Sequence, residues 1–406
     1  MEGKSLVVIG GGAAGFFCAV NAARLHQGLQ VILLEKSSKL LAKVRISGGG
    51  RCNVTHACFS IAEMVKRYPR GAQMLKKAFH HFFTTDTIAW FKERGVELKT
   101  EADGRMFPIT DSSETIIACL LKEAGKYGVD IRMNAAVESL QSIEGKWQIG
   151  MANGQTIKAD FVCVAAGGYP KAGMFGWLTA LGHSIAPPLP SLFTFNMPGN
   201  PITALMGISV EAATVKINGT KLSETGPLLI THWGLSGPAV LKLSAWGAAL
   251  LAEKNYQFSI TVNWLPSFNE NSLREHLQQL RFAQAAQKIH NRNPFGLPQR
   301  LWQHLLTTCG ITETLRWADL PAKEQNLLVK TLCGQAFDVN GKTTFKEEFV
   351  TCGGIQLSEV HAATMQSKLH PGLYFAGEIL DVDGVTGGFN FQNAWTTGWI
   401  AGQLMC

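Results

Sequence analysis

Cys52 stands directly after Arg51, in the run Ser47-Gly48-Gly49-Gly50-Arg51-Cys52-Asn53. A guanidinium beside a thiol lowers the thiol's pKa. A thiol can also give a proton to one carbon while hydride reaches its neighbour. Cys52 has a second reading, as a small side chain packed under a ligand. His232, in Thr231-His232-Trp233-Gly234, can move a proton near neutrality as a general acid, or it can make a structural hydrogen bond. Asp381 and Asp383 flank a glycine-rich segment and read as solvated loop carboxylates or helix caps. Lys43 and Arg45 can meet a phosphate. Three consecutive glycines let a backbone lie flat against a ligand, and Asn53 offers both a donor and an acceptor. Residues 47–53 therefore read as a ligand-contact loop, set in a longer basic loop at 36–58 that opens on Lys36.

Such residues need a scaffold, and the start of the chain supplies one. The apolar run Leu6-Val7-Val8-Ile9 leads into Gly10-Gly11-Gly12-Ala13-Ala14-Gly15, and a helical pattern follows. Gly10 allows a tight turn, Gly12 admits a pyrophosphate to the backbone, and Gly15 lets helix and strand pack closely. The phosphates then sit on the free N–H groups at the helix start. A second strand, Gln30-Val31-Ile32-Leu33-Leu34, ends in Glu35, where a carboxylate can accept hydrogen bonds from an adenosine ribose. Glu35, with no Arg in its place, argues against a 2′-phosphate in this site.

The 406 residues suffice for two or three domains, and 46% hydrophobic against 17% charged residues allows a large core. No stretch reads as a signal peptide. No apolar run reaches the ~18 residues of a membrane span; residues 239–252 read as a buried helix. The nine cysteines contain no C-x-x-C pair and read as reduced thiols, which places the chain in the cytoplasm. No metal site is indicated. The net charge of +7 favours an anionic partner, which a cofactor satisfies in part and a nucleic acid more fully.

Helical spacing is expected at 72–83, 85–94 and 114–127, the last capped by Ser112 or Ser113. Residues 103–108 read as a turn. Residues 136–159 read as a β-meander inserted in the nucleotide-binding sheet. Residues 161–165 read as a buried parallel strand that ends at Ala166-Gly167-Gly168, another close backbone approach. Prolines 187, 188 and 190 mark a boundary. Beyond it come strands, then a helical Gln-rich stretch, then a buried strand ending in Gly377-Glu378 and a final helix. The divisions are 1–188, 189–266 (β-rich), 267–340 (helical) and 341–406.

Together the N-terminal glycines, 47–53, 105–108, 231–238, Thr364-Met365-Gln366-Ser367-Lys368 and 371–392 resemble the HI0933-like (BaiN-type) flavoproteins. These are a branch of the two-dinucleotide-binding-domain flavoproteins. The resemblance implies an α/β fold: a Rossmann-type FAD-binding domain made from both chain ends, with an inserted β-rich subdomain and a helical one. It implies that Gly10, Gly12, Ala13, Ala14 and Gly15 hold the pyrophosphate, and that Glu35 takes the ribose with Lys36 and Lys43 nearby. Val137 would lie near the adenine. Ala166, where such proteins usually carry Thr, and Gly167 would approach the cofactor from their strand end. Gly377 and Glu378 would meet the ribityl and phosphate side. Ser47, Gly48, Gly50, Arg51, Cys52, Asn53, Gly387, Gly388 and Asn390 would surround the flavin, and the final helix would aim its positive end at the ring.

Three functions follow as expectations. One is an FAD-dependent reductase of an activated C=C bond using NAD(P)H, acting on the uracil ring of ribosomal RNA or on a small steroid-like enone. The basic set Lys66, Arg67, Arg70, Lys76 and Lys77 favours RNA, and a solvated helix face accounts for it equally. The second is a flavin oxidase or monooxygenase. The third is an RNA-binding flavoprotein without catalysis.

Overall fold

The computed structural model describes residues 1, 3–343 and 350–405. The chain forms two compact units, Met1–Ser191 with Phe345–Cys406, and Leu192–Thr344.

The first unit is built on a five-stranded parallel sheet. Its order is Leu373–Phe375, Phe161–Val164, Ser5–Ile9, Gln30–Leu34, Asp130–Arg132. Leu6, Val7 and Val8 are fully buried in the central strand, the mark of a strand covered on both faces. Helix Ala13–Leu25 packs against the final helix, Phe389–Gly402. Small residues permit this contact: a side chain at Gly398 would run into the Ala14 carbonyl. The meander forms as a separate antiparallel sheet, Val137–Ile143, Lys146–Met151, Thr156–Ala159, in the connection leading to Phe161–Val164.

Three local expectations change. Residues 36–58 are not all loop, because a helical stretch occupies Ala42–Gly50. It breaks at Ser47 (ψ 146°), after which Gly48, Gly49 and Gly50 take left-handed φ values of 59°, 70° and 85°. Residues 103–108 are a turn only at their start, since Arg105–Pro108 is the middle strand of a small antiparallel sheet with Thr55–His56 and Leu98–Thr100. The proline-rich segment does not leave the first unit at 187. Ile185–Pro190 pairs antiparallel with Thr351–Ile355.

The second unit carries a seven-stranded antiparallel sheet, ordered Gln335–Asn340, Gln257–Asn263, Ser209–Ile217, Ser223–Thr231, Gly234–Ser236, Thr194–Asn196, Lys342–Thr343. The β-rich and helical stretches read separately from sequence share one core here: Val215 and Ile260 of the strands belong to the same buried cluster as Leu277, Trp302 and Leu328 of the helices. The strand Gln335–Asn340, lying after the helices in sequence, returns to pair with Gln257–Asn263. Among the described residues no helix is long and apolar enough to cross a membrane.

Candidate functional site

The N-terminal turn is shaped by close approaches. Gly10 has φ 115°, and a side chain there would strike the Ala165 backbone; one at Gly15 would strike the Gly10 carbonyl. Above Gly12 the space is open, with no atom within 4 Å of where a Cβ would stand. Helix Ala13–Leu25 begins without a side-chain cap and without an acid in its first turn. Its first N–H groups and positive dipole end are therefore left for an anion.

Glu35 is fixed at the end of its strand. Its Oε2 accepts from the Gly11 N–H at 2.8 Å, and its Oε1 accepts from the Ser37 N–H and hydroxyl at 2.9 and 2.8 Å. Lys36 Nζ lies over the Tyr169 ring. Lys43 pairs with Glu378 at 2.6 Å, and Glu378 also accepts the Thr351 N–H at 2.8 Å. Gly377, at φ 76°, donates to the Thr397 hydroxyl of the final helix at 2.8 Å. Gly167 takes φ 75° with open space around it. Ala166 and Val137 are half-buried. Residues from 10–15, 35–43 and 377–378 thus converge, although they are far apart in sequence.

The 47–56 segment is stitched to 384–395. The Asn53 amide donates to the Thr55 carbonyl at 3.1 Å and accepts from the Gly388 N–H at 2.9 Å. Thr55 donates to Gln392 at 2.6 Å, and Trp395 donates to the Val54 carbonyl at 2.9 Å. Asn390 bonds both backbone groups of Gly384 at 2.8 Å. His56 places Nδ1 3.1 Å from the Gly387 carbonyl and stacks on Phe389.

Cys52 and Arg51 depart from expectation. Arg51 turns away to Glu101 at 2.6 Å and Asp111 at 3.6 Å, and lies over the Phe107 ring. Its charge is answered there, so it does not activate the thiol. Cys52 is fully buried at φ 61°. Burial pushes its pKa up to about 12, with only the Ser47 hydrogen bond opposing. Asp383 is neither solvated nor a cap. It is fully buried, holds Arg70 through both carboxylate oxygens, and accepts the Ser191 hydroxyl. Asp381 accepts the Gly353 N–H at 3.1 Å. Burial raises both carboxyls above the usual range. Arg70 thereby leaves the free basic set. His232 is exposed at a turn of the second unit, edge-on to Trp233.

Sequence reasoning missed Ser37, His56 and Gln392, and it read Arg70 only as part of a basic surface. Ser37 was within reach, as a hydroxyl two residues beyond a ribose-type carboxylate. The others have partners hundreds of positions away, and no local pattern marks them.

The arrangement fits a dinucleotide cofactor: an open glycine cradle, an uncapped helix start and a fixed carboxylate at the next strand end. The HI0933-like protein Rossmann domain matches residues 4–404. The chain belongs to the HI0933-like family. This HI0933-like chain is a flavoprotein oxidoreductase with a Rossmann-type FAD-binding domain. It is 31% identical to the ribosomal RNA dihydrouridine synthase of Escherichia coli K12, over 99% of this chain and 98% of that one. It is 29% identical to the 3-dehydro-bile acid delta(4,6)-reductase of Clostridium scindens, over 98% and 97%. Among solved structures, it is similar in fold to the 3-ketosteroid-delta4-(5alpha)-dehydrogenase of Rhodococcus jostii RHA1 in complex with 4-androstene-3,17-dione. That likeness has a TM-score of 0.51 at 14% identity, covering 99% of this chain and 98% of that one. It is similar also to a flavocytochrome c3 fumarate reductase in its open conformation, with TM-score 0.51 at 17% identity, covering 99% and 78%.

Proposed function

We propose that this HI0933-like protein reduces the C=C bond of a uracil ring in ribosomal RNA to dihydrouridine, with NAD(P)H as electron donor. The observation that carries this reading is the near end-to-end similarity to the E. coli dihydrouridine synthase. A net charge of +7 supports it, because the substrate is a polyanion. The bond to be reduced is conjugated to a carbonyl. Hydride goes to the carbon β to that carbonyl and a proton to the α carbon, so one NAD(P)H and one proton are consumed. The comparably extensive similarity to the bile-acid reductase supports a second reading, reduction of a small enone; the two reactions share this electron and proton count.

When bound, FAD supplies the two-electron link between nicotinamide and C=C bond. The cradle of Gly10, Gly12, Ala13, Ala14 and Gly15 would hold its pyrophosphate, and Glu35 would take the adenosine ribose. Gly377 and Glu378 would hold the ribityl side. The final helix starts at Gly388 with no acid in its first turn, so its positive end is left to favour negative charge on the ring. Cys52 is held as the thiol, fully buried with its pKa pushed up to about 12, which suits packing beneath a ligand better than it suits an acid at neutral pH. We keep it as the candidate donor of the proton to carbon, and its substitution decides between the two roles.

Mapping dihydrouridine in large-subunit rRNA with and without the gene tests the substrate. Loss of a modification on deletion is expected; an unchanged map removes the RNA reading. Flavin reduction by NADH and by NADPH under nitrogen, followed by oxygen, tests the donor and the reaction class. Rapid reoxidation with stoichiometric peroxide would favour an oxidase instead. For Cys52→Ala, turnover is expected to fall about 100-fold with flavin reduction by NAD(P)H unchanged. Wild-type turnover would assign Cys52 to packing.

A further inference from the structure

The first unit has a second concave surface that shares no residue with the glycine cradle. Helix Ala72–Ala78 and the segment 357–368 wall a cleft of about 1000 Å³. Its floor is apolar, formed by buried Met74 and Val360. Its rim carries exposed Lys77 and Lys368 with the amides of Gln73 and Gln366, and among the described residues no carboxylate lines it. Lys368 Nζ gives one hydrogen bond to the Ser358 carbonyl at 2.8 Å, which fixes the ammonium without neutralising it. Lys77 has no acid three or four positions away. Exposed Arg67 and Lys76 extend the positive surface outward.

The walls are rigid. The segment 357–368 closes as a hairpin through an antiparallel bridge between Val360 and Ser367, with Met365 at φ 60° in the turn. Ser367 Oγ lies 3.2 Å from His183 Nε2, and His183 Nδ1 lies 2.9 Å from Glu359. This order of groups resembles a hydrolytic triad. However, Ser367 is 3% exposed, and its oxygen already accepts the N–H groups of Leu369 and His370. The chain is a buttress for the hairpin. The opposite wall is tied to the segment that carries Gly387 and Gly388: Tyr68 donates to the Phe389 carbonyl at 2.7 Å, and the Val385 N–H donates to the Arg67 carbonyl at 2.9 Å.

We infer that this cleft holds a nucleotide of the RNA strand next to the base that is reduced, its phosphate on Lys77 and Lys368 and its base on the Met74–Val360 floor. The inference rests on the rRNA reading. A preformed cavity of this size accommodates a nucleotide. Single-stranded RNA is gripped by cations along its backbone together with surfaces on which bases lie; here the floor is aliphatic and offers the base apolar contact in place of ring stacking. The cations leading away from the rim suit a continuing strand better than a free anion.

The test uses the FAD-loaded full chain and a labelled single-stranded oligonucleotide copying the modified rRNA segment. Binding is followed by fluorescence anisotropy against salt, and dihydrouridine formation by turnover. For Lys77→Glu with Lys368→Glu, about tenfold weaker binding and a raised KM for RNA are expected. The slope of log K against log salt should be shallower by about 0.7, the value for one lost phosphate contact on a single strand. The rate of flavin reduction by NAD(P)H should not change. Lys77→Glu alone, on an exposed helix face, serves if the double variant does not fold. Lys122→Glu with Lys254→Glu, an equal charge change at exposed positions outside the cleft, controls for long-range attraction. Equal losses in the cleft and control pairs, or no loss in the cleft pair while the wild type binds and reduces RNA, would overturn the inference and leave the rRNA reading standing. A wild type that neither binds nor reduces RNA would remove both.

Discussion

The Glu35 carboxylate accepts three hydrogen bonds from its own chain, from Gly11 and from both donors of Ser37. These bonds orient it in advance, so a ribose bound as proposed would meet a fixed acceptor. The Gly11 N–H belongs to the glycine turn, so in that reading Glu35 would couple the ribose position to the phosphate position. Glu35→Gln keeps the volume but replaces one acceptor by a donor facing either Gly11 or Ser37. Removing one charge-assisted bond costs about 1.5 kcal/mol. We expect FAD affinity to fall about tenfold, read by flavin fluorescence during titration of the apoprotein. Unchanged affinity would mean that Glu35 shapes the turn and does not touch the cofactor.

At the scale of elements, the hairpin 357–368 depends on a buried histidine. Burial lowers the His183 pKa below its usual 6.5, and Glu359 only partly opposes this. Glu359 itself lies below its usual 4.5: burial opposes the shift, and hydrogen bonds from Ser184 and His183 outweigh it. The unfolded chain therefore takes up protons that the folded one refuses. The His183 contribution is whole above about pH 6.5, and it is lost as pH falls from 6.5 through the lowered folded value. Glu359 adds a loss of the same sign below pH 4.5. Thermal melts are expected to shift downward between pH 7 and pH 5.5, with a shallower slope in His183→Gln. His304, also lowered by burial but in the second unit, acts in the same direction and remains in the variant, so the difference between the two slopes isolates His183. Identical slopes would show that the buttress does not titrate.

For the whole molecule, what could be read from sequence was local, and what could not was long-range. The glycine turn, Glu35, the meander and the Ser112 cap each depend on neighbours within one or two elements, and the structure has them. Asp383 looked solvated because its partner Arg70 lies 313 positions away. Cys52 looked activated because Arg51 is adjacent in sequence, whereas its carboxylate partner Glu101 comes from another element. The β-rich and helical stretches looked separate because periodicity reports faces without naming what covers them. The helices and the sheet share a core. The two units also differ in how they are assembled. Leu192–Thr344 is continuous and owns its sheet and its core. The first unit needs both chain ends: Leu373–Phe375 pairs with Phe161–Val164, and Phe389–Gly402 covers Ala13–Leu25. A fragment of 192–344 is therefore expected to fold alone, with a cooperative melt and near-ultraviolet dichroism from its buried Trp264, Trp302 and Trp317. A fragment of 1–191 lacks an edge strand and the cover of its first helix, and is expected to be insoluble or molten and to bind no FAD. Adding 345–406 through a flexible linker should restore both folding and flavin binding. If 192–344 melts without cooperativity, its core is not self-sufficient. If 1–191 alone binds FAD, the cradle does not need the C-terminal segment that supplies Gly377 and Glu378.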